Sequence, residues 1–140
     1  MLFILLYVLL QWRQANLKQT VMGFIIPAAT QEPEKLSTGR TRQWLANREH
    51  GTTSTALIEN YFEEGGFVPP HCHRTEELLI CLEGHGQLIL NNVLYDFPVG
   101  SVAVVPPMAV HEVRNSGNGV MRMLGFFPEA APETIWAKDI

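Results

Sequence analysis

The sequence has little charge, few cysteines and no long run of basic or apolar residues. Charged residues make up 17% of its 140 residues, hydrophobic residues make up 46%, and the formal net charge is −4. This apolar content supports one folded domain with a core and argues against a disordered chain. Without a basic run or a recognisable helix-turn-helix, the chain offers no obvious surface for phosphate backbones. We therefore expect no nucleic-acid partner.

Only two cysteines are present, Cys72 and Cys81. If both lay on one continuous strand they would be about 30 Å apart, whereas a disulfide needs Cα atoms within about 7 Å. We therefore expect two free thiols. Free thiols are typical of reducing compartments, and we predict a cytoplasmic protein.

The longest apolar run covers residues 1–10 and is too short to span a bilayer, which takes about 20 residues. It also lacks the basic start of a signal peptide. Three interpretations stay open. The run is an extra element packed on the fold or a partner, a non-native extension ahead of a true start at Met22, or a membrane anchor. Apart from this run, nothing predicts a membrane partner.

Short alternating stretches separated by turn residues predict an all-β fold. The stretches are residues 42–46, 56–63, 77–83, 87–90, 93–97, 101–105, 110–115 and 121–127. Gly84-His85-Gly86 and Asn91-Asn92 are predicted hairpin turns, because Gly and Asn tolerate positive φ. Many short strands with regular turns are typical of a β-sandwich or β-barrel.

The two ends of the chain are less regular. Residues 30–41 are rich in turn-forming residues and predict a loop. The sequence thus divides into an N-terminal extension, residues 1–41, and a β-domain, residues 42–140. The tail after Pro128 is predicted to hold a short helix from Pro132, with Trp136 packed on the barrel or on another subunit.

Potential metal ligands cluster at His71, His73 and Glu77. Alternate side chains of a strand share a face, so all three point the same way if the segment is regularly extended. Glu76 then faces away, but a β-bulge would exchange the two glutamates and make Glu76 the carboxylate ligand. A third imidazole, His111, follows in a later stretch.

Two stretches together resemble the paired motifs of the cupin superfamily. The fixed positions of the first motif are filled by Gly65, His71, His73, Glu77 and Gly84. Four of the five fixed positions of the second are filled by Gly100, Pro106, His111 and Asn115. Met108 stands where the family usually has Gly, a departure that affects a turn and not a ligand.

This resemblance implies a double-stranded β-helix, or jelly-roll barrel, holding one divalent transition metal. The implied ligands are His71, His73, Glu77 and His111. Three neutral imidazoles, one carboxylate and a divalent ion carry a formal charge of +1, which suits an anionic oxygen ligand. Four protein ligands would saturate tetrahedral zinc, whereas an octahedral ion keeps two open positions. Mn, Fe, Ni or Co is therefore expected over Zn.

Other candidate residues have weaker signals. Leu79, Cys81 and Met123 are predicted to line the pocket beside the metal. His50 and His85 lie in predicted turns without a ligand-spaced partner, and we expect both to be exposed.

Small single-domain cupins imply an enzyme of the dioxygenase, decarboxylase, isomerase or cyclase type, acting on a small oxygen-bearing organic molecule. No catalytic acid or base can be named from the sequence. The alternative is a non-catalytic module that binds or senses a small molecule or metal. We also predict a homodimer, because small cupins often pair, open edge strands need cover, and the N-terminal run and the Trp136 tail are apolar.

Overall fold

The computed structural model describes residues 23–140, which form two antiparallel β-sheets and three single-turn 3-10 helices. The strands are β1 (Glu34–Leu36), β2 (Arg40–Ala46), β3 (Ala56–Phe62), β4 (Phe67–Cys72), β5 (Glu77–Glu83), β6 (His85–Leu90), β7 (Val93–Pro98), β8 (Val102–Val105), β9 (His111–Asn115), β10 (Met121–Phe127) and β11 (Ile135–Trp136). The 3-10 helices are Ala28–Thr30, Arg48–His50 and Ala137–Asp139. The predictions made for residues 1–22, including the apolar run and the start at Met22, lie outside the described residues.

The core lies between the two sheets. The first sheet has the strand order β1-β2-β3-β10-β5-β8, and the second has the order β11-β4-β9-β6-β7. Phe62, Leu79 and Met121 from the first sheet and Leu88 and Val113 from the second belong to one buried cluster. The predicted all-β, double-sheet barrel is confirmed. In residues 23–140 no helix is long and apolar enough to cross a membrane.

Strand β10 shows how alternation builds this core. Its residues are alternately buried and half-buried, and Met121, Met123, Gly125 and Phe127 all point inward, as predicted. The strand lies between β3 and β5, so its inward face runs through the centre of the first sheet.

Most connections after β3 cross between the two sheets, and two of these crossings differ from the predictions. β4 belongs to the second sheet and β5 to the first, so residues 73–76 bridge the barrel. The predicted hairpin at Gly84-His85-Gly86 is wrong for the same reason, because β5 and β6 lie in different sheets. At this corner Gly84 has φ +79°, and a Cβ there would lie 2.6 Å from the Val120 carbonyl oxygen. The corner therefore requires glycine.

The Asn91-Asn92 turn is a true hairpin between β6 and β7. Both residues have positive φ, 49° and 65°. Leu90 pairs directly with Val93 across this two-residue loop. The predicted turn is therefore confirmed.

Both ends of the domain differ from the predictions. Residues 30–41 are not all loop, because they contain β1 and the first residues of β2, and Arg40 pairs with Phe62 of β3. The tail forms strand β11 along β4 before any helix, and its one 3-10 turn starts at Ala137 rather than at Pro132. Trp136 packs against the core of its own chain.

The two cysteines are free and buried, but not for the predicted reason. They do not share one continuous strand, since Cys72 ends β4 in one sheet and Cys81 lies in β5 of the other.

Candidate metal centre

The four residues singled out by the motifs meet inside the barrel. His71, His73, Glu77 and His111 each offer a ligand atom, and these atoms all lie within 4.8 Å of one another. Their exposed fractions are only 2–6%. This four-residue group, the His/Glu cluster, has the donor types and the spacing to hold a metal ion.

The cluster draws on both sheets. His71 at the end of β4 pairs with His111 at the start of β9 within the second sheet. Glu77 starts β5 in the first sheet, and His73 lies on the crossing between β4 and β5. The expectation of one regular strand from His71 to Glu77 is therefore wrong. The residues converge because β4 and β5 face each other across the barrel.

The choice between the two glutamates is clear from their positions. Glu77 is buried in the cluster, whereas Glu76 is exposed on the crossing segment. Because β5 begins regularly at Glu77, its inward face continues through Leu79, and the alternative ligand Glu76 stays outside the cluster.

Backbone carbonyls orient all three imidazoles. The Nδ1 atoms of His71 and His73 each lie 2.7 Å from a carbonyl oxygen, of Pro69 and Glu133 respectively. Nδ1 of His111 lies 3.0 Å from the carbonyl oxygen of Ala109. A carbonyl can only accept, so each Nδ1 carries the proton and donates. In a neutral ring, Nε2 then has a free lone pair, the form that binds metal.

Two of these Nε2 atoms point at the same carboxylate oxygen. Oε2 of Glu77 lies 3.1 Å from Nε2 of His111 and 3.4 Å from Nε2 of His73. With Nδ1 already protonated, a neutral ring would bring a nitrogen lone pair against an oxygen lone pair. Such an arrangement requires a shared proton or a cation.

His71 is held in its neutral form. Burial, followed by the neighbouring His111 ring, lowers the pKa of His71 to about 3. The carbonyl of Pro69 opposes this shift without cancelling it. At neutral pH this ring is therefore uncharged and available as a ligand.

A missing side chain makes room for Glu77. A Cβ on Gly125 would lie 2.9 Å from Oε1 of Glu77 and 2.9 Å from the Ile58 side chain. Gly125 occupies β10 between β3 and β5, directly beneath the carboxylate. The close approach of Glu77 to the strand thus depends on glycine here.

A pocket lined by both polar and apolar side chains contains the cluster. Trp44, Phe127 and Trp136 form aromatic parts of its wall. Leu79 and Met123 line it as predicted, but Cys81 does not. Cys81 lies one alternation further along β5, within the core, where burial raises the pKa of its thiol.

The remaining histidines stay outside the cluster. His85 is exposed, as predicted, and its Nε2 lies 2.6 Å from Oδ1 of Asp96. His50 is half-buried rather than exposed, because it lies in a 3-10 turn, where its Nδ1 is buried.

The sequence prediction missed four polar residues of the pocket, Arg40, Arg42, Asn60 and Thr134. The available signal was alternation, since Arg40 and Arg42 share a face of β2 with Trp44. Charged alternate residues usually indicate a solvent-facing strand, and the predicted strand began only at Arg42. Arg40 is buried only because other strands of the barrel cover it, and the local sequence does not show this.

The family profile described as "Cupin domain" matches residues 60–127, which include the whole His/Glu cluster. This chain contains a small cupin domain. The matched residues run from the middle of β3 to the end of β10 and so cover strands of both cupin sheets.

Individual relatives support the cupin fold. An uncharacterized protein of Methanocaldococcus jannaschii is 31% identical over 70 residues, which cover 49% of this chain and 56% of that protein. This chain therefore matches only about half of that relative's length. The polyketide cyclase RemF from Streptomyces resistomycificus is 20% identical with a TM-score of 0.70, covering 83% of this chain and 86% of RemF. Oxalate decarboxylase from Lactobacillus farciminis is 19% identical with a TM-score of 0.72, covering 78% of this chain and 34% of that enzyme.

Proposed function

We propose that this cupin is a metal-dependent enzyme acting on a small oxygen-bearing organic molecule. His71, His73, Glu77 and His111 would hold one divalent transition-metal ion. The observation that carries the proposal is the shared tautomer of the three rings, which leaves the lone pair of every Nε2 free to bind a metal ion beside Glu77. Bound metal would act as a Lewis acid toward an oxygen ligand or as a site for dioxygen.

Mn, Fe or Ni fits the proposed activity better than Zn. Four protein donors already complete the tetrahedral shell that zinc prefers. An ion that accepts six ligands would leave two positions for substrate oxygens, while the nitrogen and carboxylate donors suit such ions.

The chain's own residues would bind substrate and keep water out. The carbonyl partners fix the imidazoles before any ion arrives, so little reorganisation is needed on binding. The aromatic side chains of Trp44, Phe127 and Trp136 give the pocket a low-polarity wall. Such a wall strengthens electrostatic contacts to a bound anion.

Several structural neighbours of this chain are themselves enzymes. RemF is a polyketide cyclase, and the Lactobacillus farciminis protein is an oxalate decarboxylase in complex with formate. An oxalate oxidase in complex with glycolate has the same fold, at 21% identity and a TM-score of 0.67. These likenesses extend to the fold alone, so the reaction of this chain rests on its own cluster.

Metal analysis tests the proposal directly. Purified protein, reconstituted with Mn, Fe, Ni and Zn in turn, should retain about one ion per chain by elemental analysis. His71→Ala should lose most of the metal affinity. The matched control Cys72→Ala alters the adjacent residue, which supplies no cluster ligand, and should keep the ion. Wild-type protein that binds none of the four metals would sink the proposal.

A non-catalytic binding module is the second candidate. It is favoured by the lack of a spare acid or base, since Glu77 is the only acidic residue lining the pocket in residues 23–140. Water-proton relaxation of the Mn-loaded protein separates the two functions. Exchangeable water on the ion supports the enzyme, and a saturated ion supports the module.

The wider setting is also proposed. We infer a cytoplasmic homodimer with a small-molecule ligand and no nucleic-acid partner. Free Cys72 and Cys81 support the compartment. The first 21 residues are proposed to be dispensable for the barrel and its metal, because every cluster residue lies after residue 70.

A further inference from the structure

Arg40 is a buried cation without a carboxylate partner among residues 23–140. Its exposed fraction is 7%, and its Nε is buried without a hydrogen-bond acceptor. Its Nη1 makes one long contact, 3.5 Å to Oδ1 of Asn60. Burying a charge costs free energy unless an oppositely charged or hydrogen-bonding group pairs with it. A buried Nε without an acceptor therefore indicates that a partner is missing from this site.

The neighbouring arginine on the same strand differs in this respect. Nε of Arg42 lies 2.7 Å from Oε2 of Glu34 and is only partly buried. The exposed Arg74 is likewise paired, with Glu133. Arg40 therefore stands apart because, within residues 23–140, its burial comes without an ion-pair partner.

Arg40 and the His/Glu cluster line the same pocket. Burial, followed by the charge of Arg42, lowers the pKa of Arg40 to about 10, so the group remains a cation at neutral pH. Glu34 and, less strongly, Glu77 are near enough to act on that pKa in the opposite direction, but neither forms an ion pair with Arg40.

The pocket has an excess of positive charge once a metal is bound. A divalent ion contributes +2, Glu77 contributes −1 and Arg40 contributes +1, giving a formal charge of +2. Arg42 also lines the pocket, but its charge is offset by its ion pair with Glu34. Glu77 is the only acid lining the pocket within the described chain. The neutral imidazoles and the apolar wall supply no compensation, so a ligand must bring negative charge.

We propose that Arg40 binds a carboxylate of the substrate, and that the substrate is a small dicarboxylate held between the metal and this guanidinium. This inference rests on the proposed metal-dependent function. A guanidinium matches a carboxylate through two parallel N–H donors, which would satisfy the Nε that now has no acceptor. Asn60 would keep the fork in place from the other side.

Calorimetric titration of the Mn-loaded protein tests the assignment, with malonate as the dicarboxylate probe and acetate as the monocarboxylate. Arg40→Met removes the charge with a side chain of similar length. It should weaken malonate binding about 10- to 100-fold, the range of charge-assisted hydrogen bonds, and leave acetate binding nearly unchanged. Lys35→Met makes the same charge change on the exposed β1 and should alter neither affinity.

Two further measurements separate this role from a structural one. Arg40→Met should not lower the melting temperature of the metal-free protein, because it removes an unpaired buried charge. Asn60→Asp supplies an internal carboxylate to Arg40. Asn60→Asp should weaken malonate binding while raising the melting temperature of the metal-free protein. It therefore tests the role of Arg40 even if Arg40→Met does not fold.

The outcomes distinguish the two proposals. Metal-loaded Arg40→Met or Asn60→Asp that binds malonate as tightly as wild type would overturn the role of Arg40 and leave the metal site intact. Wild-type protein that cannot be loaded with metal would overturn the proposed function and this inference with it. A third outcome is that phosphate binds the wild-type protein as tightly as malonate does, and that both ligands lose this affinity in Arg40→Met. It would overturn the dicarboxylate assignment and leave only a general anion site.

Discussion

Two of the cluster histidines are oriented by the same local hydrogen bond. His71 and His111 each donate through Nδ1 to the carbonyl two residues earlier, of Pro69 and Ala109. The acceptor of each hydrogen bond lies two residues before its histidine, so the orientation of both rings is set by local sequence. His73 differs, because its carbonyl partner, Glu133, is 60 residues away.

Gly125→Ala should weaken metal binding about tenfold or more. The added methyl would overlap the space of Glu77 Oε1, so the carboxylate must move away from the three rings. Competition with a chelator measures the affinity. Gly23→Ala is the matched control, since a Cβ there meets nothing within 4 Å. Unchanged affinity in Gly125→Ala would show that Glu77 is not a ligand.

Met108 has a left-handed backbone, with φ of 63°, at the position where cupins usually have glycine. The turn is kept because Met108 N–H donates to the His73 carbonyl at 2.7 Å and Ala109 N–H donates to Pro106 at 3.2 Å. Met108 therefore adopts at this turn the left-handed conformation that glycine reaches without strain.

Met108→Gly should raise the free energy of unfolding by roughly 0.5–1 kcal/mol. Relief of the left-handed strain exceeds the greater unfolded-state freedom of glycine. Urea denaturation of metal-free protein measures the change. Ala109→Gly, at a neighbour without positive φ, should lower the free energy instead. A loss of stability in Met108→Gly would contradict the strain argument.

Among the strands, β4 is unusual in carrying two adjacent prolines. Its pairing with β9 is irregular between Val68 and His71, where Pro69 and Pro70 cannot donate. On its other edge it pairs with β11, with Trp136 opposite His71. The C-terminal strand thus completes the support of a strand that is only partly paired with β9.

Deletion of residues 132–140 should lower metal affinity about 10- to 100-fold, the usual effect of losing a hydrogen-bond partner of a ligand. The reason is that His73 loses the Glu133 carbonyl. Deletion of residues 137–140 alone retains Glu133 and β11 and should have little effect on metal affinity. Equal affinities in the two truncated proteins would contradict the role given to Glu133.

The elements were predictable from sequence to different degrees. Strands such as β10 alternate cleanly because one face is buried, and this local pattern was sufficient. The crossings at residues 73–76 and at Gly84 were not predictable from local pattern, since a turn residue does not tell which sheet the next strand joins. The four cluster residues were nevertheless predicted correctly as neighbours, because the spacing of the two motifs is a property of the whole fold and does not require a single regular strand. Arg40 was missed because its burial results from contacts with distant residues.

At the scale of the whole molecule, one side of the barrel has an apolar edge. β7 and β8 are the end strands of the two sheets, and both line a single surface pocket. Leu94 and Tyr95 of β7 and Val102 and Val104 of β8 are exposed. The tail with Trp136 gives no ground for pairing, because Trp136 packs on its own chain. The edge strands are therefore the better ground for a dimer.

Light scattering should give about 31 kDa, twice the 15.7 kDa chain, as a two-fold pair requires. Val104→Lys on β8 should reduce this to one chain, while Val120→Lys, at a similarly exposed valine outside the edge strands, should not. A chain starting at Met22 should keep both the metal and the doubled mass. Loss of the doubled mass in that chain would place the contact in the first 21 residues instead.

The distribution of the four ligands over two sheets has a kinetic consequence. An ion bound by His71 and His111 of one sheet and Glu77 of the other would be a clamp across the barrel. The sheets could then separate only after a coordination bond breaks, so the lifetime of the folded state would follow the off-rate of the metal. Chelation would shorten that lifetime even where the equilibrium fold survives, and proteolysis would follow metal supply in the cell.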